Sequence, residues 1–375
     1  MKEVVEEKQI PVRFYLLHGT WAAGAPWTKS ASKLVTALRE IAEPSPIEWK
    51  GKNRDTDRRS AAEQVIDTLH QQQGRQILIA HSHGGNVAVY AAADARLRGK
   101  VAGIVCMNTP FISVIRHDYT TRLALVSMLA VVAPLIWAMG VLLKRVEGIF
   151  FELTLVLGVG FVIALVVGSV VPVIRYFQRR GAAVWNRLAP THVADVPVLC
   201  ISSGDDEAQY GLSLFENLAN LPTVLQHPLV MIALFFGFLG MLVTGVLPEI
   251  FFFGLSSGPI FSVFLYVLGF FLLLQLCALV LSFITGRIAL GLGFSYWPWF
   301  YNFFIRVSVT PTPLYYRLVD FIDVVIPAAK GSSGLAHSRI YDDENTIQQI
   351  LSWIKNGCMF RPDPTESSRV KMPPN

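Results

Sequence analysis

The sequence predicts an α/β fold with a mostly parallel sheet flanked by helices, interrupted by two transmembrane helical hairpins. In the first 120 residues, apolar strand-like segments alternate with helix-like segments. Such alternation produces parallel strands that helices cover on both faces. Four long runs without a charged residue follow, and a helix of about 20 apolar residues is long enough to cross a bilayer.

The expected elements follow from hydrophobic periodicity and from residues that begin or end helices. Strands are predicted at 12–20, 76–80 and 101–110, and a later strand at 196–208 ends in acidic residues. Helices are predicted at 28–41, at about 60–72 and at 84–97. The C-terminal part reads as a strand, a Gly/Ser-rich loop that carries His337, and a final amphipathic helix.

The uncharged runs span 123–143, 153–174, 229–247 and 250–286. We interpret them as four transmembrane helices in two hairpins. The aromatic-rich segment 294–304 is typical of a membrane interface. The composition also favours a membrane protein, since 53% of the residues are hydrophobic and 16% are charged. In an average soluble domain, about a quarter of the residues are charged.

The charge and the cysteine usage argue against nucleic-acid-binding and metal-binding proteins. The formal net charge is +5 and no Lys/Arg block is interleaved with aromatic residues, so no nucleic-acid partner is expected. The four cysteines are far apart and form no CxxC pair, which indicates free thiols. No carboxylate or cysteine has a suitable spacing to the histidines near residue 82, so no metal or cofactor is expected.

Ser82 is the expected nucleophile. It lies in "LIAHSHGGN" (78–86), between an apolar strand and a helix. Ala80 to Gly84 fits the pattern G-x-S-x-G, with Ala in place of the first Gly. A sharp turn at this point lifts a serine hydroxyl above the sheet, where a neighbouring base can accept its proton.

The acid is expected after a later strand and the base near the end of the chain. "SSGDDEA" (202–208) offers Asp206 as the favoured acid and Asp205 as the alternative. Of the two histidines that follow, His227 borders an apolar run, so His337 is the predicted base.

Backbone N–H groups are expected to stabilise the oxyanion. His83 follows the nucleophile and would supply one N–H. The turn "HGTWA" (18–22) would supply another, from either Thr20 or Trp21.

The order Ser82, Asp206, His337, with an early His-Gly turn, resembles the α/β-hydrolase superfamily, and more closely its bacterial lipase- or esterase-like members. The resemblance covers roughly 10–115, 190–220 and 318–356. It implies hydrolysis of an ester, thioester or amide. The apolar hairpins depart from the family pattern and occupy positions where soluble members carry lid insertions.

The expected function is therefore that of a membrane-anchored serine hydrolase that cleaves a lipophilic carboxylic ester through an acyl-enzyme. The expected partners are the lipid bilayer and this ester. Alternatives are an acyltransferase or thioesterase with the same triad, or a catalytically silent membrane scaffold.

Membrane topology is consistent with this expectation, since two spans separate each pair of triad residues. Basic residues flank the hairpins on the triad side, which places the hydrolase domain in the cytoplasm of a multi-pass membrane protein. The expected organisation has six parts: hydrolase segments 1–120, 176–227 and 287–360, transmembrane hairpins 121–175 and 228–286, and a disordered tail 361–375.

Overall fold

The computed structural model describes residues 11–116, 195–222, 258–292, 305–326 and 336–358. The segment 294–304, His227, the N-terminal ten residues and the tail 361–375 lie outside these ranges. The structural statements that follow concern the described residues.

The described residues contain eight strands: β1 (Val12–Leu17), β2 (Pro44–Ile47), β3 (Arg75–His81), β4 (Val101–Met107), β5 (Phe111–Arg116), β6 (Val198–Ser203), β7 (Ile305–Thr310) and β8 (Val319–Val324). Six of them form a parallel main sheet in the order β2-β1-β3-β4-β6-β8, and β5 and β7 form a separate antiparallel ribbon. The predicted α/β fold with a mostly parallel sheet is confirmed.

Six α-helices accompany these strands in the described ranges. They are α1 (Lys33–Leu38), α2 (Asp55–His70), α3 (Gly84–Ala92), α4 (Glu207–Ala219), α5 (Gly258–Ile288) and α6 (Glu344–Trp353). Short 3-10 turns lie at Pro26–Thr28, Ala95–Leu97, Ala336–Ser338 and Ile340–Asp342, and a π-helical turn, Ile354–Cys358, follows α6.

The central strands β1, β3, β4 and β6 are mostly buried on both faces, whereas the edge strands β2 and β8 are partly exposed. Successive side chains alternate between the faces, so Leu78 packs in one core with α2 and α3, and its neighbour Ile79 packs in the other with α1 and α6. Both side chains are fully buried. This burial explains why the strands read as continuous apolar runs rather than as alternating ones.

Capping residues fix where several helices begin. The Ser32 hydroxyl accepts a hydrogen bond from the Val35 N–H at 3.1 Å, so α1 begins at Lys33 and not at Thr28. Thr28 instead ends a 3-10 turn, and its hydroxyl donates to the Ala25 carbonyl. At α6, the Asp343 carboxylate accepts from the Thr346 N–H at 2.8 Å.

Two features were not predicted from the sequence. The strand β2 contains two prolines, which cannot donate to a ladder but are tolerated because β2 lies at the edge of the sheet. The ribbon pairs Phe111 with Thr310 and Arg116 with Ile305. Because its strands are so far apart in the chain, no local pattern links them.

The prediction of a multi-pass integral membrane protein with a cytoplasmic hydrolase domain is wrong. In the described part of the chain, no helix is both long enough and apolar enough to cross a membrane. The runs 123–143, 153–174 and 229–247 lie outside the described residues.

The fourth uncharged run, 250–286, overlaps α5. The C-terminal turns of α5 pack on the α/β domain. Ala278, Ser282 and Thr285 are buried, and the Ser282 hydroxyl donates to the Ala219 carbonyl at the end of α4. The prediction treated the whole run as a surface for lipid, whereas one face of this part of the helix contacts protein. Leu276, Val280 and Ile284 in the same turns are exposed.

Gly84, the first residue of α3, allows that helix to approach the end of β1. A Cβ atom at Gly84 would overlap the carbonyl oxygens of Leu17 and His18. These are backbone atoms of the last residue of the central strand β1 and of the residue after it, so they cannot move aside at low cost. Gly211 in α4 differs, since a Cβ there would meet no atom within 4 Å.

We expect Gly84→Ala to lower the free energy of unfolding by about 1–3 kcal/mol through overpacking. Gly211→Ala is the matched control and should raise it by about 0.5–1 kcal/mol, because alanine replaces glycine inside a helix without a clash. Urea unfolding followed by circular dichroism measures both. Equal effects of the two substitutions would contradict the close packing of α3 on β1.

Candidate active site

The predicted site residues lie on the side of the main sheet where its parallel strands have their carboxyl ends. Because the strands are parallel, their carboxyl ends lie on the same side, where α/β proteins bind their ligands. Ser82 directly follows β3, Asn108 directly follows β4, and Asp206 lies three residues after the end of β6. The turn with His18 and Thr20 follows β1 at the same edge.

Ser82 occupies a strained turn between β3 and α3. Its φ is +54°, in the left-handed region that residues other than glycine rarely adopt. The Ser82 N–H donates to the Met107 carbonyl at 2.9 Å, and the Ser82 carbonyl accepts from the Gly85 N–H at 3.0 Å. These bonds hold the strained conformation, which is common at functional sites.

The turn after β1 lies directly against Ser82. A Cβ atom at Gly19 would be 2.8 Å from the Ser82 Cβ and 3.3 Å from its Oγ. Glycine is therefore required at position 19 for the two turns to approach each other. The backbone after Gly19 is thereby brought beside the serine hydroxyl.

Asp206 and His337 are in direct contact, although 131 positions separate them in the chain. The His337 Nδ1 lies 2.9 Å from the Asp206 Oδ1. A carboxylate can only accept, so we assign the ring proton to Nδ1, which leaves the Nε2 lone pair able to accept a proton.

Asp206 is 2% exposed, and the oxygen that contacts His337 is also held by backbone N–H groups. Its Oδ1 also accepts from the N–H groups of Ala208 at 2.9 Å and Gln209 at 3.3 Å, so Asp206 caps α4. A carboxylate at a helix N-terminus is stabilised by the helix dipole. Asp205, the alternative acid, is exposed.

The two alternatives for the first oxyanion donor differ in their hydrogen bonding. The Trp21 N–H donates to the Gly51 carbonyl at 2.7 Å, so it is already engaged. In the described residues, neither the Thr20 N–H nor the His83 N–H has a partner. Of the predicted oxyanion donors, the Thr20 and His83 N–H groups are therefore free to donate to another acceptor, whereas the Trp21 N–H is not.

Trp21 has an unusual environment for a large aromatic residue. Its φ is +56°, and its side chain is 84% exposed. The hydrogen bond to Gly51 and the left-handed backbone fix the position of its Cα, one residue beyond Thr20. An exposed apolar surface thus lies beside the turn that follows β1.

Two contacts to His337 were missed from the sequence. The His81 Nε2 lies 2.9 Å from the His337 carbonyl oxygen, and the Asn108 Nδ2 donates to the same oxygen at 3.1 Å. Neither His81 nor Asn108 is among the predicted site residues. The sequence held one signal for both contacts. His81 is the last residue of β3 and Asn108 directly follows β4, and the carboxyl ends of parallel strands lie on the same side of the sheet.

Burial keeps two histidines of this site neutral. Burial, and then the nearby His337, lower the pKa of His81 to about 3, although the bond to the His337 carbonyl and the Asp206 charge act in the opposite direction. Burial, Arg58 and His337 also lower the pKa of His83 well below its ordinary value.

The described residues contain no group of three or more His, Cys, Asp or Glu side chains placed to hold a metal ion. No model of a known protein family matches the chain, and no curated protein matches it.

We expect the free energy of unfolding to fall as the pH falls from about 6.5 toward 3. The unfolded chain protonates His81 near its ordinary pKa of 6.5, whereas the folded protein does not until about 3. The unfolded state thus binds more protons in this window. Between pH 7 and pH 5, His81 alone should account for about 2 kcal/mol.

Urea unfolding at both pH values checks this expectation. His81→Gln should show a loss between pH 7 and pH 5 that is smaller by this amount. His70→Gln, which removes an exposed histidine on α2, should behave like the wild type. An equal loss in all three proteins would rule out a neutral buried His81.

Proposed function

We propose that this protein is a serine hydrolase of the α/β-hydrolase type that cleaves carboxylic esters through an acyl-enzyme on Ser82. The observation that carries the proposal is the Asp206–His337 hydrogen bond at the sheet edge where Ser82 occupies its left-handed turn. The proposal assigns Ser82 as the nucleophile, His337 as the base and Asp206 as the acid that orients the base, which are the three roles that acyl transfer requires.

In the first half of the reaction, the His337 Nε2 accepts the Ser82 hydroxyl proton while Oγ attacks the ester carbonyl carbon. The carbonyl oxygen becomes negative and accepts hydrogen bonds from the Thr20 and His83 N–H groups. Asp206 stabilises the imidazolium. The intermediate then loses the alcohol, whose oxygen takes the proton from Nε2, and the acyl group stays on Ser82.

In the second half, water replaces the alcohol. The His337 Nε2 accepts a proton from water, whose oxygen attacks the acyl carbon. The bond to Ser82 Oγ breaks, Oγ regains the proton from Nε2, and the acid leaves. Every proton passes through Nε2, so the enzyme returns to its starting state.

The exposed Trp21 side chain supports the proposal that the substrate carries an apolar acyl or alcohol group. Its indole is largely exposed one residue beyond Thr20, next to the proposed oxyanion position. An exposed indole offers a large apolar area and a polar edge, a combination that favours binding of amphipathic molecules.

We expect Asp206→Asn to lower kcat/KM for a soluble p-nitrophenyl ester by about 10³–10⁴-fold, because the amide favours the wrong His337 tautomer. Asp205→Asn is the matched control, one residue away and exposed, and should stay within about threefold of the wild type. Comparable losses in both variants would contradict the assignment of Asp206.

Trp21→Asn tests the substrate class, since asparagine tolerates the left-handed backbone and removes the indole. We expect KM for a p-nitrophenyl octanoate to rise by about 5- to 30-fold, corresponding to about 1–2 kcal/mol of lost apolar contact. KM for the acetate ester should not change. Equal changes for both esters would exclude the indole as a binding surface for the acyl chain.

A further inference from the structure

Two side chains converge on a single backbone oxygen of the proposed base. The His337 carbonyl accepts from the His81 ring at 2.9 Å and from the Asn108 amide at 3.1 Å. A carbonyl oxygen has two acceptor sites, and both are used here. The proton of the His81 ring is therefore on Nε2 in this contact.

Asn108 also connects the other strand ends of the site. Its N–H donates to the Ile201 carbonyl at 2.8 Å, and its Oδ1 accepts from the Ser203 N–H at 2.8 Å. Its φ of +44° is left-handed, a conformation that asparagine tolerates better than most residues. One buried side chain thus links the end of β6, which precedes Asp206, to the backbone of His337.

His81 supports the same residue through its ring as well. Its ring centroid lies 4.8 Å from that of His337, and the Tyr341 and Trp27 rings lie edge-on at 5.2 and 6.2 Å. His81 itself is 5% exposed. A ring packed on several sides cannot rotate freely, so its Nε2 is held toward the His337 carbonyl.

We infer that His81 and Asn108 are positioning residues that fix the backbone of His337, and thereby the direction of its ring toward Ser82. The inference rests on the proposed function, in which His337 is the base. His337 lies in a three-residue 3-10 turn, Ala336–Ser338, which by itself provides little rigidity. The His337 N–H donates to the Glu207 carboxylate at 3.4 Å, and the two side-chain donors restrain the carbonyl on the other side of the residue.

The rate of proton transfer depends steeply on this restraint. The base must lie within hydrogen-bond distance of the serine hydroxyl, and a displacement of about 1 Å can cost about 10²-fold in rate. Neither His81 nor Asn108 needs to contact the substrate, so loss of either should lower kcat and leave KM unchanged.

His81→Phe and His81→Gln form a matched pair for the test. Phenylalanine keeps a ring and removes the donor, whereas the glutamine Nε2 restores an N–H at similar reach. Hydrogen–deuterium exchange of the peptide 336–343 in the full-length protein is the first readout, because it reports on the His337 backbone whether or not the protein is an enzyme.

We expect exchange in this peptide to be at least about tenfold faster in His81→Phe and close to the wild-type rate in His81→Gln. With p-nitrophenyl acetate, kcat should fall by about 10- to 100-fold in His81→Phe at unchanged KM, and glutamine should restore most of it. Unchanged exchange or unchanged kcat in folded His81→Phe would overturn the inference.

Asn108→Asp provides an independent route if His81→Phe does not fold. Aspartate keeps the acceptor for the Ser203 N–H and tolerates the left-handed backbone, but it removes the donor to His337. The same increase in exchange supports the inference, and wild-type exchange overturns it. A folded wild type that turns over no ester would refute the proposed function, while the exchange rates would still decide whether the two side chains fix His337.

Discussion

The hydrogen bond between Asp206 and His337 is the contact on which the site depends. It joins the segment after β6 to a turn near the C-terminus, and it orients the ring whose other nitrogen is able to accept a proton. The bond can form only because parallel strands place their carboxyl ends at one edge of the sheet. The sheet order therefore determines which residues meet.

The surroundings of this bond combine strained backbone with buried polar contacts. Ser82 and Asn108 both have a left-handed φ, which costs energy that the packed sheet must offset. The same residues position the functional groups, since Ser82 presents its hydroxyl and Asn108 links Ser203 to His337. Conformational strain is thus concentrated where precise placement of side chains is needed.

The sequence was sufficient to predict the strands of the main sheet that precede the site and the approach of Asp206 to His337. These follow from apolar runs and from chain order, both of which are local or sequential signals. The sequence was not sufficient to predict β2, because prolines are tolerated in a strand only at the edge of a sheet. It was also not sufficient to predict the contacts of His81, because these depend on tertiary packing. The sequence led to a wrong prediction of a membrane span for the apolar run that ends in α5. Hydropathy does not distinguish a helix face that contacts lipid from one that packs on protein, as Ser282 does against Ala219.

Labelling with a fluorophosphonate probe tests the central claim most directly, since this probe reacts with a serine that a neighbouring base has activated. The account predicts that the folded wild-type protein is labelled, that peptide mass spectrometry places the adduct on Ser82, and that Ser82→Ala is not labelled. Absence of labelling in folded wild-type protein, or labelling that persists in Ser82→Ala, would contradict it.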